Sequence, residues 1–124
     1  MRRFNPAVLC LVALPVLAIV PGARAQDAGE AIFKRYCAVC HTVEPGKNKI
    51  GPSLAGVVGR KAGSAPGYSY SDANKNSGVT WDEQSLDTYL TDPRKFIPGT
   101  KMIFVGIKSA DDRQALIAYL KEQK

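Results

Sequence analysis

Cys37-Ala38-Val39-Cys40-His41 sets two thiols three residues apart and an imidazole directly behind the second. On one helical turn such a pair of sulfurs can reach the two vinyl groups of a single porphyrin and form thioethers, and the next residue then brings its imidazole under the iron. The rival chemistries each fail on a countable feature. A structural zinc site wants four ligands, and beyond residue 25 the chain has no Cys or His other than these three. A thioredoxin-like redox pair expects a βαβ context, which the sequence lacks. A disulfide would give the adjacent His no task. Downstream, Met102 stands in a loop of Pro and Gly and is the only Met after residue 1. The inventory is therefore two thioether anchors, Cys37 and Cys40, and two candidate axial ligands, His41 and Met102, for one covalent haem c.

The compartment agrees with that chemistry. Arg2 and Arg3 precede an apolar run, Ala7 to Val20, broken by Pro15, and Ala23-Arg24-Ala25 has the form of a cleavage site. Residues 1–25 are expected to be a signal peptide cut after Ala25, since the run is shorter than the roughly 20 residues that span a bilayer. Leu9 is too bulky for a lipoprotein site at Cys10. Residues 26–124 then form one small domain of 99 residues. Losing Arg2, Arg3 and Arg24 takes the 17 basic residues to 14 against 11 acidic, a net charge of +3 in place of +6. No basic run is interleaved with aromatics, which argues against nucleic acid. A moderate dipole that steers acidic partners fits better.

The elements that must position the site read as helices and loops. Asp27 and Glu30 have the form of a capping box, opening a helix from Ala28 to about Tyr36 with Ile32, Phe33 and Tyr36 at core spacing. Thr42 to Gly67 reads as an unusually long loop, which a cofactor edge to wrap around would explain. Ser71 caps a short helix over Asp72 to Asn76, stopped by Gly78. Thr80 and Glu83 suggest a second capping box for a helix bearing Leu86, Tyr89 and Leu90, which fades before Pro93. Phe96 to Gly106 is again a loop, and Ser109 with Asp112 starts a last helix with Leu116, Ile117 and Leu120 on one face. No segment alternates as a strand would. The expected fold class is all-α, a few helices and long loops around one bound group.

With these residues in place the chain resembles a class I cytochrome c, of the bacterial type close to the mitochondrial protein. The resemblance runs through Gly29 and Phe33, Cys37 to Glu44, Gly51-Pro52-Ser53-Leu54, Gly59-Arg60-Lys61, Tyr70 to Asn76, Trp81, Tyr89, Pro98-Gly99-Thr100-Lys101-Met102 and Leu116 to Lys121. It implies that the first and last helices cross at Gly29, with Phe33 meeting Leu116 and Tyr119. It implies that the Pro52 carbonyl accepts a hydrogen bond from the non-ligating nitrogen of His41 and that Tyr89 sits beside the Met102 sulfur. Arg60, Tyr70 and Trp81 would hydrogen-bond a buried haem propionate, with Asn74 nearby. Without the resemblance, Met102 also reads as a core filler, Trp81 and Tyr70 as core aromatics and Arg60 as a surface charge.

The implied function is a soluble, monomeric, periplasmic one-electron carrier and not an enzyme, running between a cytochrome bc complex and a terminal oxidase or similar acceptor. A runner-up is a haem enzyme or gas sensor, which would need an open sixth position. Lys47, Lys49, Lys95, Lys101 and Lys108, individually ordinary surface charges, together resemble a basic ring around the exposed haem edge. Three departures weaken that ring: a Glu44–Lys47 loop one residue shorter than the mitochondrial pattern, Tyr36 where that pattern has Lys, and Ser109-Ala110 inside what is there a lysine run.

Overall fold

The computed structural model describes residues 22–124 and Pro15; the rest of the expected leader, Cys10 included, lies outside the described residues. Five helices follow one another, α1 (Gly22–Tyr36), α2 (Asp72–Lys75), α3 (Glu83–Thr91), α4 (Pro93–Phe96) and α5 (Ala110–Glu122). Among the described residues no helix is long and apolar enough to cross a membrane. The one β-type pairing among them is an isolated antiparallel bridge between Lys61 and Thr80.

The helix starts show which local signals prevail. Ser71 accepts the Asn74 N–H and caps α2, and Ser109 accepts the Asp112 N–H and caps α5, both as the sequence suggests. Helix α1 instead begins at Gly22, so Asp27 is an interior residue; the Ala, Arg and Gln before it propagate a helix readily and override the cap pattern. At α3 the cap is Asp82 rather than Thr80. Its carboxylate accepts from Ser85 N, and the Ser85 hydroxyl in turn accepts the Asp82 N–H, 2.7 and 2.9 Å. Helix α4 is absent from the sequence reading, which stops α3 before Pro93. Asp92 caps it by accepting the Lys95 N–H at 3.1 Å, and Pro93 at its first turn has no N–H to leave unsatisfied.

Helices α1 and α5 cross at Gly29, where a Cβ would collide with the Ala115 carbonyl and the Tyr119 Cβ. That close approach seats Phe33 against Tyr119, ring centroids 5.7 Å apart, and leaves Leu116 fully buried. Helix α3 closes the triangle with Leu86 and Leu90 in the same core. The long loop behind α1 is knitted by buried hydroxyls: Thr42 Oγ1 donates to Lys47 O at 2.7 Å and Ser53 Oγ to Glu44 O at 2.6 Å. Gly29→Ala should destabilise the holoprotein by about 3 kcal/mol, because overpacking here forces backbone apart. Thermal unfolding should then fall by roughly 10–20 °C; an unchanged midpoint would show the crossing to be looser than described.

Candidate functional site

Helices α1, α3 and α5 and the two long loops surround a cavity of about 530 Å³, within the range that encloses a substantial cofactor. Leu54, Val57, Leu86, Leu90, Leu116 and Leu120 supply apolar wall, and every expected site residue, Cys37, Cys40, His41, Pro52, Arg60, Tyr70, Asn74, Trp81, Tyr89 and Met102, lines it. The structure thus brings together residues spread over two thirds of the chain.

The Cys-His segment extends the helical hydrogen bonding of α1. Cys37 N–H donates to Phe33 O at 2.8 Å and His41 N–H to Cys37 O at 2.9 Å, so thiols and imidazole share one turn. Burial, and then the neighbouring Cys40, push the Cys37 thiol up to about 11. A redox-active pair needs the opposite, a stabilised thiolate. His41 Nδ1–H donates to Pro52 O at 2.7 Å, which fixes the tautomer and leaves the Nε2 lone pair for a metal. Burial lowers the His41 pKa; the Pro52 bond opposes that shift in part, and the Arg60 and Lys49 charges add to it. The ring is therefore neutral, the form that coordinates. Gly51 makes this arrangement possible, since a Cβ there would run into the imidazole.

On the other strap, three groups close a small ring of hydrogen bonds. Tyr89 O–H donates to Met102 Sδ at 3.2 Å, Thr100 Oγ1 lies 3.3 Å from Tyr89 Oη, and Met102 N–H donates to Thr100 Oγ1 at 3.3 Å. With Tyr89 donating to sulfur, the Thr100 hydroxyl donates to Tyr89. Only one sulfur lone pair is engaged, so the other stays available. Burial raises the Tyr89 pKa, partly countered by Thr100, and keeps the phenol protonated as that donor.

A polar corner completes the cavity. Arg60 Nη1 donates to the carbonyls of Ser53 at 3.0 Å and Ala55 at 3.2 Å, and among the described residues no carboxylate pairs with this half-buried guanidinium. Burial lowers its pKa, but an arginine remains charged. Arg60 and Trp81 are joined through Trp81 N–H to Arg60 O, 2.9 Å. Tyr70 Oη accepts the Ala65 N–H at 3.0 Å, which leaves its own proton to donate. Asn74 Oδ1 is buried without a partner. An unpaired cation and a spare hydroxyl proton in an otherwise apolar cavity fit an amphiphile with a carboxylate at that edge, whereas the Asn74 oxygen, an acceptor, calls for a donor that a carboxylate does not supply. Haem, with its apolar ring and propionates, fits these walls; Cys37 and Cys40 would hold its vinyl carbons, and His41 and Met102 its iron.

Sequence reasoning missed two participants, Thr100 and Gly51. Both lie in runs already singled out, and a Gly directly before Pro52, whose carbonyl accepts from His41, is the available signal for close backbone approach.

The arrangement is that of a class I c-type cytochrome, in which an all-α shell encloses an apolar cavity bearing the Cys-x-x-Cys-His turn. The family described as Cytochrome c matches residues 26–124. The chain is 59% identical over 95 residues to a cytochrome c of Gibberella zeae, covering 76% of this chain and 90% of that one. It is 54% identical over 108 residues to cytochrome c2 of Blastochloris viridis, covering 85% and 84%. Among solved structures, cytochrome cH from Methylobacterium extorquens superposes with a TM-score of 0.73 at 52% identity, covering 77% of this chain and 96% of that one. The chain belongs to the cytochrome c family; it is an electron-transfer protein carrying covalent haem c, and not an enzyme.

Proposed function

We propose that the protein is a soluble, monomeric, periplasmic one-electron carrier whose haem, held by Cys37 and Cys40 and ligated by His41 and Met102, passes electrons from a cytochrome bc complex to a terminal oxidase or similar acceptor. One observation carries the reading: His41, oriented by Pro52, and Met102, oriented by Tyr89, line the same cavity as the two thiols. The haem supplies a one-electron iron couple. With His41 and Met102 both holding the iron, no site would remain for oxygen chemistry. The thioether of Met102 favours the ferrous state, and the apolar walls act in the same direction by disfavouring extra positive charge. Pro52, Tyr89 and Thr100 hold both ligands in fixed hydrogen bonds, which limits rearrangement on electron transfer. Export follows from residues 1–25 as a signal peptide; a cut after Ala25 would bring Asp27 into the first turn of the shortened α1.

The ferric holoprotein should show the weak near-infrared sulfur-to-iron band, and the ferrous holoprotein should not bind carbon monoxide. A carbon monoxide complex at neutral pH would favour the enzyme or sensor reading instead.

Docking would use the cavity mouth. Ile50, 73% exposed, and Ile103, 89% exposed, line the cavity and face solvent beside Lys101. Lys101 Nζ sits 4.5 Å from the Tyr68 ring centroid and donates to Ser69 O, and Lys49 Nζ donates to Ala38 O at 2.7 Å, so both charges are held in place. Lys47 is instead paired with Glu44 at 3.1 Å and adds less to the ring. Association with an acidic partner should slow as salt rises through about 0.15 M, where the Debye length is roughly 8 Å. Lys101→Gln should slow it more than Lys121→Gln, since Lys121 is already paired with Glu83. Equal effects would remove the mouth as the docking face.

A further inference from the structure

The strap carrying Met102 has no regular secondary structure between α4 and α5, so its hold depends on what fastens its ends. At the leading end the buried Ile97 donates its N–H to Pro93 O at 2.9 Å. At the trailing end Ile107, 2% exposed, donates its N–H to Leu90 O of α3 at 2.8 Å. Gly106, at φ +96°, lies so close to α3 that a Cβ would strike the Thr91 carbonyl. Arg113 completes this end. Its Nε donates to Asp87 Oδ1 at 2.7 Å, and its Nη1 donates to Ile107 O at 2.8 Å and Lys108 O at 3.0 Å. One guanidinium thereby joins α5, α3 and the strap, and its side chain is only 11% exposed.

We propose that Arg113 and Asp87 are positioning residues for the sixth iron ligand: the pair clamps the trailing end of the Met102 strap to α3, the helix whose Tyr89 holds the Met102 sulfur. This rests on the reading of Met102 as a ligand. Tyr89 lies two residues beyond Asp87 on α3, so movement of the strap away from this helix breaks the sulfur contact and the clamp together. Asp87 keeps the guanidinium turned toward the two strap carbonyls through a charge-assisted bond. With that carboxylate replaced by an amide, a largely buried cation loses its counter-charge and gains by turning toward water, which releases Ile107 and Lys108.

A second ion pair between the same helices provides an internal control. Lys121 and Glu83 meet at 2.8 Å, are both exposed, and neither side chain hydrogen-bonds or ion-pairs with a strap residue among the described residues. Strap opening bares the sixth position, so the apparent affinity for an outside ligand reports the opening equilibrium. The test titrates the ferric holoprotein with imidazole at fixed neutral pH and ionic strength, reading loss of the near-infrared band, in the parent, Asp87→Asn and Glu83→Gln. Asp87→Asn should bind imidazole about tenfold more tightly, the difference expected when a charge-assisted bond becomes neutral. Glu83→Gln should stay within about twofold of the parent, although it also loses an α3–α5 pair. Hydrogen exchange at the Ile107 amide should accelerate in Asp87→Asn and not in Glu83→Gln. Equal behaviour of the two variants, or no change in Asp87→Asn, overturns the clamp while leaving Met102 a ligand. A parent without the band overturns Met102 ligation, and the clamp with it.

Discussion

Denatured in excess thiol, holoprotein from cells competent in haem attachment should weigh one haem more than its polypeptide, because thioethers resist reduction. Cys37→Ala or Cys40→Ala should leave a single thioether and a weakened holoprotein. The double variant should lose the haem on denaturation and, purified without it, show little fixed structure. The cavity explains the size of this effect. An empty space of about 530 Å³, at roughly 24 cal/mol per Å³, forgoes on the order of 10 kcal/mol, as much as the whole stability of a typical small domain. Leu54, Val57, Leu86, Leu90, Leu116 and Leu120 all line that space, so without the haem the core that the three main helices share is left unfilled on one side. The readouts are intact mass and far-ultraviolet circular dichroism. A polypeptide-only mass would remove the covalent site; a fully helical, cooperatively unfolding apo chain would show that the helices carry the core themselves.

That dependence also accounts for how the sequence could be read. The candidate haem site is legible because its chemistry is local: Cys37, Cys40 and His41 lie on one turn, and Met102 is the one Met after residue 1 to propose as a further ligand. The caps at Ser71 and Ser109 were legible for the same reason, a side chain meeting a backbone N–H three residues on. Signals failed where two local rules competed. Asp27 with Glu30 makes a good box, yet the residues before it make a good helix, and propagation prevails. Thr80 and Asp82 both precede α3, and only the distance to Ser85 decides between them. Contacts across long separations carry no local mark. Nothing in the spacing of Arg113 and Asp87, 26 residues apart, announces their 2.7 Å pair, and nothing near Thr100 announces the ring it closes with Tyr89 and Met102. The expectations for Arg60, Tyr70, Trp81 and Asn74 come from the family resemblance, and the polar corner adds a physical argument for two of them: Arg60 is a cation without a carboxylate and Tyr70 keeps a hydroxyl proton to donate.

Met102→Ala should produce the largest change in redox behaviour. The ferric near-infrared band should vanish, the ferrous protein should bind carbon monoxide, and adventitious peroxidase activity should rise, all because the sixth position is then filled by water or left open. The potential should fall by something on the order of 0.2 V, a fraction of the ~0.8 V that axial ligation spans. The direction follows from the ligand. A thioether is soft and favours ferrous iron, whereas water or hydroxide is harder and favours ferric. Met102 is only partly buried and packs against the core, so its truncation should alter folding less than it alters the iron. Tyr89→Phe separates ligation from its support. It removes the 3.2 Å hydrogen bond to Sδ and the contact with Thr100 but leaves the sulfur in place. That variant should keep the band and stay closed to carbon monoxide, with a potential shift well below that of Met102→Ala. The neutral hydroxyl it removes is worth about one or two hydrogen bonds, and loss of an iron ligand is worth more. Cyclic voltammetry of the three proteins, with spectra in both oxidation states, gives the ordering. If Met102→Ala retained the parent's band and potential, Met102 would be a core residue held by Tyr89 and Thr100 for packing alone. The closed sixth position on which a simple carrier depends would then have to come from another side chain.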